Sequence, residues 1–192
     1  MAKKKEKNLS QSVYSPNVNE QQIESHTLTI LVDNEPGVLA RVIGLFSGRG
    51  YNIESLTVAE INPEKNLSRI TIVSMGTSTD IEQIKHQVER LVPVHRVFDL
   101  TVEGAHVERE LALIKIIATG EKRIEALRIA DIFRARVVDS SLESFIFEVT
   151  GTTEKITAFI DLMRPLGLAN IGRTGVAAMM RGPTVLGQDK GD

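Results

Sequence analysis

The sequence predicts an α+β chain built from two consecutive β-α-β-β-α-β units. Three observations carry that expectation. Apolar residues alternate at period two, then recur at helical spacing, in this order from His26 to Val102. The same order returns from Leu111 to Met180, with little residue-by-residue similarity, so it is a repeat of architecture. Between the two, Gly104-Ala105-His106 breaks the rhythm and reads as a joint. This element order is that of the ferredoxin-like unit. The expected organisation is therefore two ferredoxin-like βαββαβ domains, at residues 26–103 and 104–182, between tails at 1–25 and 183–192.

In the first unit, HTLTILV puts Leu28, Ile30 and Val32 on one strand face. Val38, Leu39, Val42, Leu45 and Phe46 then fall at helical spacing, in a helix that opens near Pro36 and closes at Gly50. Ile53 to Ala59 reads as a second strand, and Asn62-Pro63-Glu64-Lys65-Asn66 as a hairpin loop before a third strand, Leu67 to Met75. Thr79-Asp80-Ile81-Glu82 has the spacing of a capping box, ahead of the helical set Ile81, Ile84, Val88 and Leu91. Val94, Arg96, Phe98, Leu100 and Val102 complete a fourth strand.

The second unit reads as a strand at Leu111 to Ala118, a less regular helix at Lys122 to Phe133 and a strand at Arg136 to Asp139. Phe145, Phe147 and Val149 alternate, and Ile156, Phe159, Ile160 and Met163 mark a helix. Ala169 to Met180 ends the core.

Composition narrows the function classes. Of 192 residues, 42% are hydrophobic and 25% charged, the balance of an ordinary soluble protein. Lys+Arg 23 against Asp+Glu 25 leaves a net charge of -2, so no basic field points to nucleic acid or a membrane surface. There is no cysteine, which removes disulfides, thiolate metal sites and thiol catalysis and fits a cytoplasmic location. No apolar run approaches the roughly 18 residues a spanning helix needs. The polar, lysine-led first 25 residues lack the apolar middle of a secretory signal and read as a disordered tail, as does GPTVLGQDKGD at the other end.

The candidate site is the corner Asp33-Asn34-Glu35-Pro36-Gly37, where a strand gives way at once to a helix. Free N–H groups and the helix dipole there favour an anion, by about 0.3–1 kcal/mol when exposed and up to ~2 when partly buried. Gly37 brings no side chain that would block the approach. The corner is too small for a nucleotide, but a carboxylate fits. Asn34 and Asn52 offer carbonyl oxygens to an ammonium group, and an apolar wall would take a short side chain, so a free amino acid meets all three demands. Asn before Pro-Gly is also ordinary turn chemistry, and Asn52 after a helix-ending glycine serves equally as a turn residue. The pattern alone leaves both readings open. Gly48-Arg49-Gly50-Tyr51-Asn52-Ile53 is no dinucleotide fingerprint, because it closes a helix instead of opening one.

DNEPGVLARVIGLFSGRGYNIESLTV, with LSRITI, GAHVERELALIKI and RTGVAAMMRG, resembles the regulatory (small) subunit of acetohydroxyacid synthase, or acetolactate synthase, from about Thr27 to Gly182. The first segment also resembles ACT domains in general, which bind amino acids between paired domains. The resemblance implies an N-terminal ACT domain and a C-terminal ACT-like domain on a chain with no catalysis and no cofactor of its own. It implies a partner, the catalytic subunit, which carries thiamine diphosphate, a divalent metal (Mg) and a flavin (FAD) and is activated by the small subunit. A branched-chain amino acid, mostly valine, bound between the ACT domains of a homodimer reverses that activation. Carried over by motif, the effector-binding positions are Asn34, Gly37, Val38 and Leu39, with Asn52 and Ile53 supplied by the neighbouring protomer. No such site is expected at Thr119-Gly120-Glu121-Lys122, where the second unit lacks the Pro-Gly corner.

Other readings carry less. Ala40, Gly44 and Ser47 make a small-residue helix face, which is either a dimer contact or a tolerant exposed surface. RNA recognition on this fold needs strand aromatics, and LSRITIVSM has none. His26, His86, His95 and His106 are spaced for no common metal motif, and no nucleophile–base pair stands out. The alternative is a free-standing amino-acid sensor acting on a different enzyme.

Overall fold

The computed structural model describes residues 22–183, 185 and 186. Most of both expected tails therefore lies outside the described residues. The first unit comprises β1 (Glu24–Asp33), α1 (Val38–Ser47), β2 (Ile53–Asn62), β3 (Leu67–Gly76), α2 (Ser78–Val88) and β4 (Val94–Asp99). Its sheet has the order β2-β3-β1-β4, all neighbours antiparallel, which makes β2 an edge strand. A one-turn helix α3 (Leu100–Glu103) leads to the second unit: β5 (His106–Ile117), α4 (Gly120–Ile132), β6 (Arg136–Ser140), β7 (Ser144–Gly151), α5 (Thr153–Met163) and β8 (Leu168–Arg173). Its sheet repeats the order as β6-β7-β5-β8. A last strand, β9 (Ala177–Met180), pairs with the first residues of β5, from His106↔Met180 to Arg109↔Ala177.

Each unit has its own core, and the alternation of the strands fixes which face it uses. Leu28, Ile30, Val32, Ile70 and Ile72 meet Val42 and Phe46 of α1 and Ile81, Ile84 and Val88 of α2. In the second unit Ile114, Ile116, Phe147 and Val149 meet Ile156 and Phe159 of α5, with Phe147 and Phe159 edge-on at 6.2 Å between ring centroids. Only Ala126, Ile129 and Ala130 of α4 are buried, which explains its weak periodicity.

Four expectations are corrected. The fourth strand stops at Asp99 instead of Val102, because the Asp99 carboxylate accepts the Thr101 N–H at 3.0 Å and caps α3. The capping box of α2 is Thr77 with Asp80, not Thr79 with Glu82: each side chain meets the other's backbone N–H. Strand β1 starts at Glu24, inside the segment expected as a tail, because Glu24 and Ser25 pair with Gly76 and Met75. The final run Ala169–Met180 is two strands on different ladders, parted by Thr174–Val176.

That last difference matters most. The ribbon of β9 and the start of β5 lies across the face of the first sheet that α1 and α2 leave open. Thr27, Thr29 and Leu31 are consequently buried, although they alternate with the helix-facing residues. Leu100, Val176 and Ala178 form a third apolar cluster here, with Val73, Phe98 and Met180 packed against it. Polar ties run through the same seam. Thr27 Oγ1 donates to Glu108, and the Thr27 N–H donates to Thr101 Oγ1 at 3.0 Å. Buried His26 and Asp99 meet at 2.7 Å.

Candidate effector-binding site

The corner is built by a turn before the helix. The Asn34 N–H donates to Asn66 O at 2.7 Å, which fastens the end of β1 to the β2–β3 hairpin. The Val38 N–H then donates back to Glu35 O at 3.4 Å, with Pro36 and Gly37 at the two central positions. Gly37 has φ 88 and ψ -7, the geometry of a type II turn, which calls for glycine there. A β-carbon on Gly37 would meet nothing within 4 Å, so the backbone conformation, not crowding, selects glycine, and the space beside it is open. Pro36 therefore belongs to this turn, and the helix opens two residues later than expected.

The start of α1 is equipped to hold an anion. Its first helical bond runs from the Arg41 N–H to Gly37 O at 3.1 Å, and among the described residues no acceptor takes the N–H of Leu39 or Ala40. The first turn of α1 carries no acidic side chain, and Glu35, just outside it, lies 3.6 Å from Arg41. Asn34 Nδ2 donates to Glu60 Oε1 of β2 at 3.1 Å, which turns the Asn34 amide toward the edge strand. Glu60 was not legible as a site residue, because it stands 26 positions away and only the β2–β3 pairing brings it here.

The predicted residues fall into two groups. Asn34, Gly37 and Leu39 sit together and exposed at one end of the sheet. The Val38 side chain is buried in the core, so its side chain is not available to a ligand. Asn52 and Ile53 lie at the far end of β2, a strand of ten residues, hence roughly 30 Å away along the chain direction. There Asn52 O accepts from Ser74 Oγ at 2.7 Å, and Asn52 Nδ2 donates to Glu54 Oε1 at 2.5 Å. Ile53 packs against the first core.

Tyr51 fixes this second group. Its hydroxyl donates to Asp80 Oδ1 at 3.2 Å, tying the chain just before Asn52 to α2. Burial, followed by the Asp80 charge, raises the Tyr51 pKa. The Thr77 hydroxyl bond holds the Asp80 carboxyl below its usual range. The histidines are each matched to separate carboxylates: His26 to Asp99, His95 to Asp33, His106 to Glu108, and His86 to Glu82 and Glu89. Among the described residues no three metal-ligating side chains cluster, and no helix is long and apolar enough to cross a membrane.

Comparison with known proteins decides the family. Residues 28–96 match the model of the AHAS small subunit-like ACT domain, and residues 109–182 match that of the small subunit of acetolactate synthase. The chain belongs to the acetolactate synthase small subunit family. It is 51% identical over 157 residues to a probable acetolactate synthase small subunit of Archaeoglobus fulgidus, an alignment covering 82% of this chain and 97% of that one. It is 44% identical over 160 residues to the acetolactate synthase isozyme 3 small subunit of Escherichia coli, covering 83% and 97%. The crystal structure of the acetolactate synthase small subunit from Thermotoga maritima superposes with a TM-score of 0.76 at 40% identity, covering 84% of this chain and all of that one. Membership of the small subunit family makes the first unit an ACT domain and gives the fold class expected from the sequence.

Proposed function

We propose that this chain is the non-catalytic regulatory subunit of a cytoplasmic acetolactate synthase. It binds and activates a catalytic subunit that carries thiamine diphosphate, a divalent metal and a flavin. A branched-chain amino acid, foremost valine, binds between the ACT domains of a homodimer and reverses the activation.

The observation that carries this reading is the division of the site residues between the two ends of edge strand β2. Antiparallel pairing of two β2 edges about a two-fold axis would lay the partner's start of β2 beside this chain's end of β2. Asn52 and Ile53 would then approach the corner of Asn34, Gly37 and Leu39, which Glu60 already joins to β2. The unpaired N–H groups of Leu39 and Ala40 suit the effector carboxylate. The carbonyl oxygens of Asn34 and Asn52 suit its ammonium. Burying an isopropyl group against Leu39 and Ile53 would contribute roughly 1.5–3 kcal/mol. The effector shifts the enzyme only by its differential affinity for two dimer arrangements, typically 1–3 kcal/mol.

Titration calorimetry of the chain with valine, leucine, isoleucine and a polar control amino acid tests the site. Saturable binding of one aliphatic amino acid, lost in Asn52→Ala, is expected. Binding unaffected by Asn52→Ala would remove Asn52 from the site. Mixing with the catalytic subunit separates this reading from a free-standing sensor: no association and no activation would favour the sensor.

A further inference from the structure

A second opening lies away from the corner, in the seam between the two units. A cavity of about 430 Å³ separates the outer face of β2 and β3 from the ribbon of β5 and β9. That volume lies within the range of small-molecule sites. Its walls are mainly apolar, with Ala59, Ile61, Val107 and Met179 among them. Ile61 and Met179 remain partly exposed, so the space reaches solvent.

The charged groups lining this cavity are cationic. Its lining includes Arg69 and Arg109, with the hydroxyls of Thr57 and Thr71, and among the described residues no acidic one. Arg69 Nε is buried with no hydrogen-bond partner, and neither arginine makes an ion pair among the described residues. Arg109 donates one bond, from Nη1 to the Glu108 carbonyl at 2.6 Å, and keeps its other donors. A buried guanidinium N–H without an acceptor is unfavourable, and an incoming oxyanion would satisfy it. The neighbouring cavity of about 370 Å³ differs, because its arginine, Arg173, is already held by Glu110 at 2.7 and 2.5 Å.

We propose that the seam cavity is a second ligand site, for an aliphatic monocarboxylate without an ammonium group. The guanidiniums of Arg69 and Arg109 take the carboxylate, and the apolar walls take a branched or linear hydrocarbon tail. An amino acid is disfavoured here, since its ammonium would lie beside two cations and find no carboxylate. The two sites of the chain thus select opposite chemistries: a zwitterion at the corner and a simple anion in the seam. The seam ligand touches strands of both units, so its occupancy bears directly on how they are held together.

Calorimetry of the full chain with 4-methylpentanoate, and with leucine as the same skeleton carrying an ammonium, tests the site. Saturable binding of one 4-methylpentanoate per chain is expected. Arg69→Met should weaken it by about tenfold or more, as befits loss of a charge-assisted bond, and Asn52→Ala should leave it unchanged. Leucine should give no saturable heat that depends on Arg69. If Arg69→Met fails to fold, Arg109→Met takes its place. No saturation by about 10 mM, binding by Arg69→Met and Arg109→Met as tight as by the parent chain, or loss of binding in Asn52→Ala would each overturn the proposal.

Discussion

The backbone N–H of Val176 donates to Ser55 Oγ at 2.8 Å, across the boundary between the two units. The Val176 carbonyl closes a clamp by accepting from Thr57 Oγ1 at 2.9 Å. Ser55 and Thr57 lie on β2, two and four residues beyond Ile53. The strand that carries half of the candidate site is thus fastened by side chains to the backbone of the C-terminal unit. Any shift of β2 on effector binding must either carry Thr174–Val176 with it or break this clamp.

The clamp depends on Gly175. Its φ of +83 disfavours other residues, and a β-carbon would stand 2.8 Å from Ser55 Oγ and 3.2 Å from Leu56 O. Gly175→Ala should destabilise the chain by about 1–3 kcal/mol from the backbone conformation alone, with the overlap added. Thermal unfolding measures the loss. A variant as stable as the parent would show that the loop can move aside without penalty.

Removing only the side-chain half of the clamp should leave both cores intact. Ser55→Ala with Thr57→Val is expected to fold and to bind valine, while the bound effector no longer alters the activity of an added catalytic subunit. Undiminished feedback in this double variant would place the coupling route elsewhere.

Acid sensitivity should arise at the Tyr51–Asp80–Thr77 network. The folded-state pKa of Asp80 is lowered from 3.8, chiefly by the Thr77 hydroxyl bond. Its contribution to stability is therefore complete above that ordinary value and disappears as pH falls through the lower folded one. Asp80→Asn should be less stable than the parent at neutral pH, and the gap should close on acidification. Denaturant unfolding across the acidic range checks this. A gap independent of pH would mean that helix capping alone accounts for the effect.

In the second unit Arg173 bonds the buried Glu110 carboxylate through Nε and Nη2, joining β8 to β5. Arg173→Gln leaves Glu110, 4% exposed, without its cation. A loss of about 1–3 kcal/mol is expected, below the range for fully buried pairs because the Arg173 side chain is 34% exposed. Adding Glu110→Gln should recover part of it, read by denaturant unfolding.

The β2 edge should govern assembly. Val58 is 45% exposed on this edge strand. Val58→Lys places a charge where a second β2 would pair and should convert a dimer to a monomer at micromolar concentration, as sedimentation would detect. A dimer that persists would move the interface to another surface, with the exposed Ala40–Gly44–Ser47 face of α1 the next to be altered.

The sequence by itself determined the two β-α-β-β-α-β units and their core faces. The period of apolar residues such as Leu28, Ile30 and Val32 is a local property of the chain. The Pro36-Gly37 turn is also local chemistry, since it needs only proline followed by a left-handed glycine. The pattern alone leaves open whether Pro36 opens the helix or precedes it. Only the tertiary structure decided what covers the second face of the first sheet. Alternation marks Thr27 and Thr29 as outward-facing, and nothing near them announces the ribbon that buries them. The same holds for Glu60 beside Asn34, for Ser55 on Val176, and for the separation of Asn34 from Asn52 by the length of β2. These are contacts between residues far apart in the chain, set by strand register and by the packing of one unit on the other. Periodicity records which way a side chain points, and it carries no record of what arrives there.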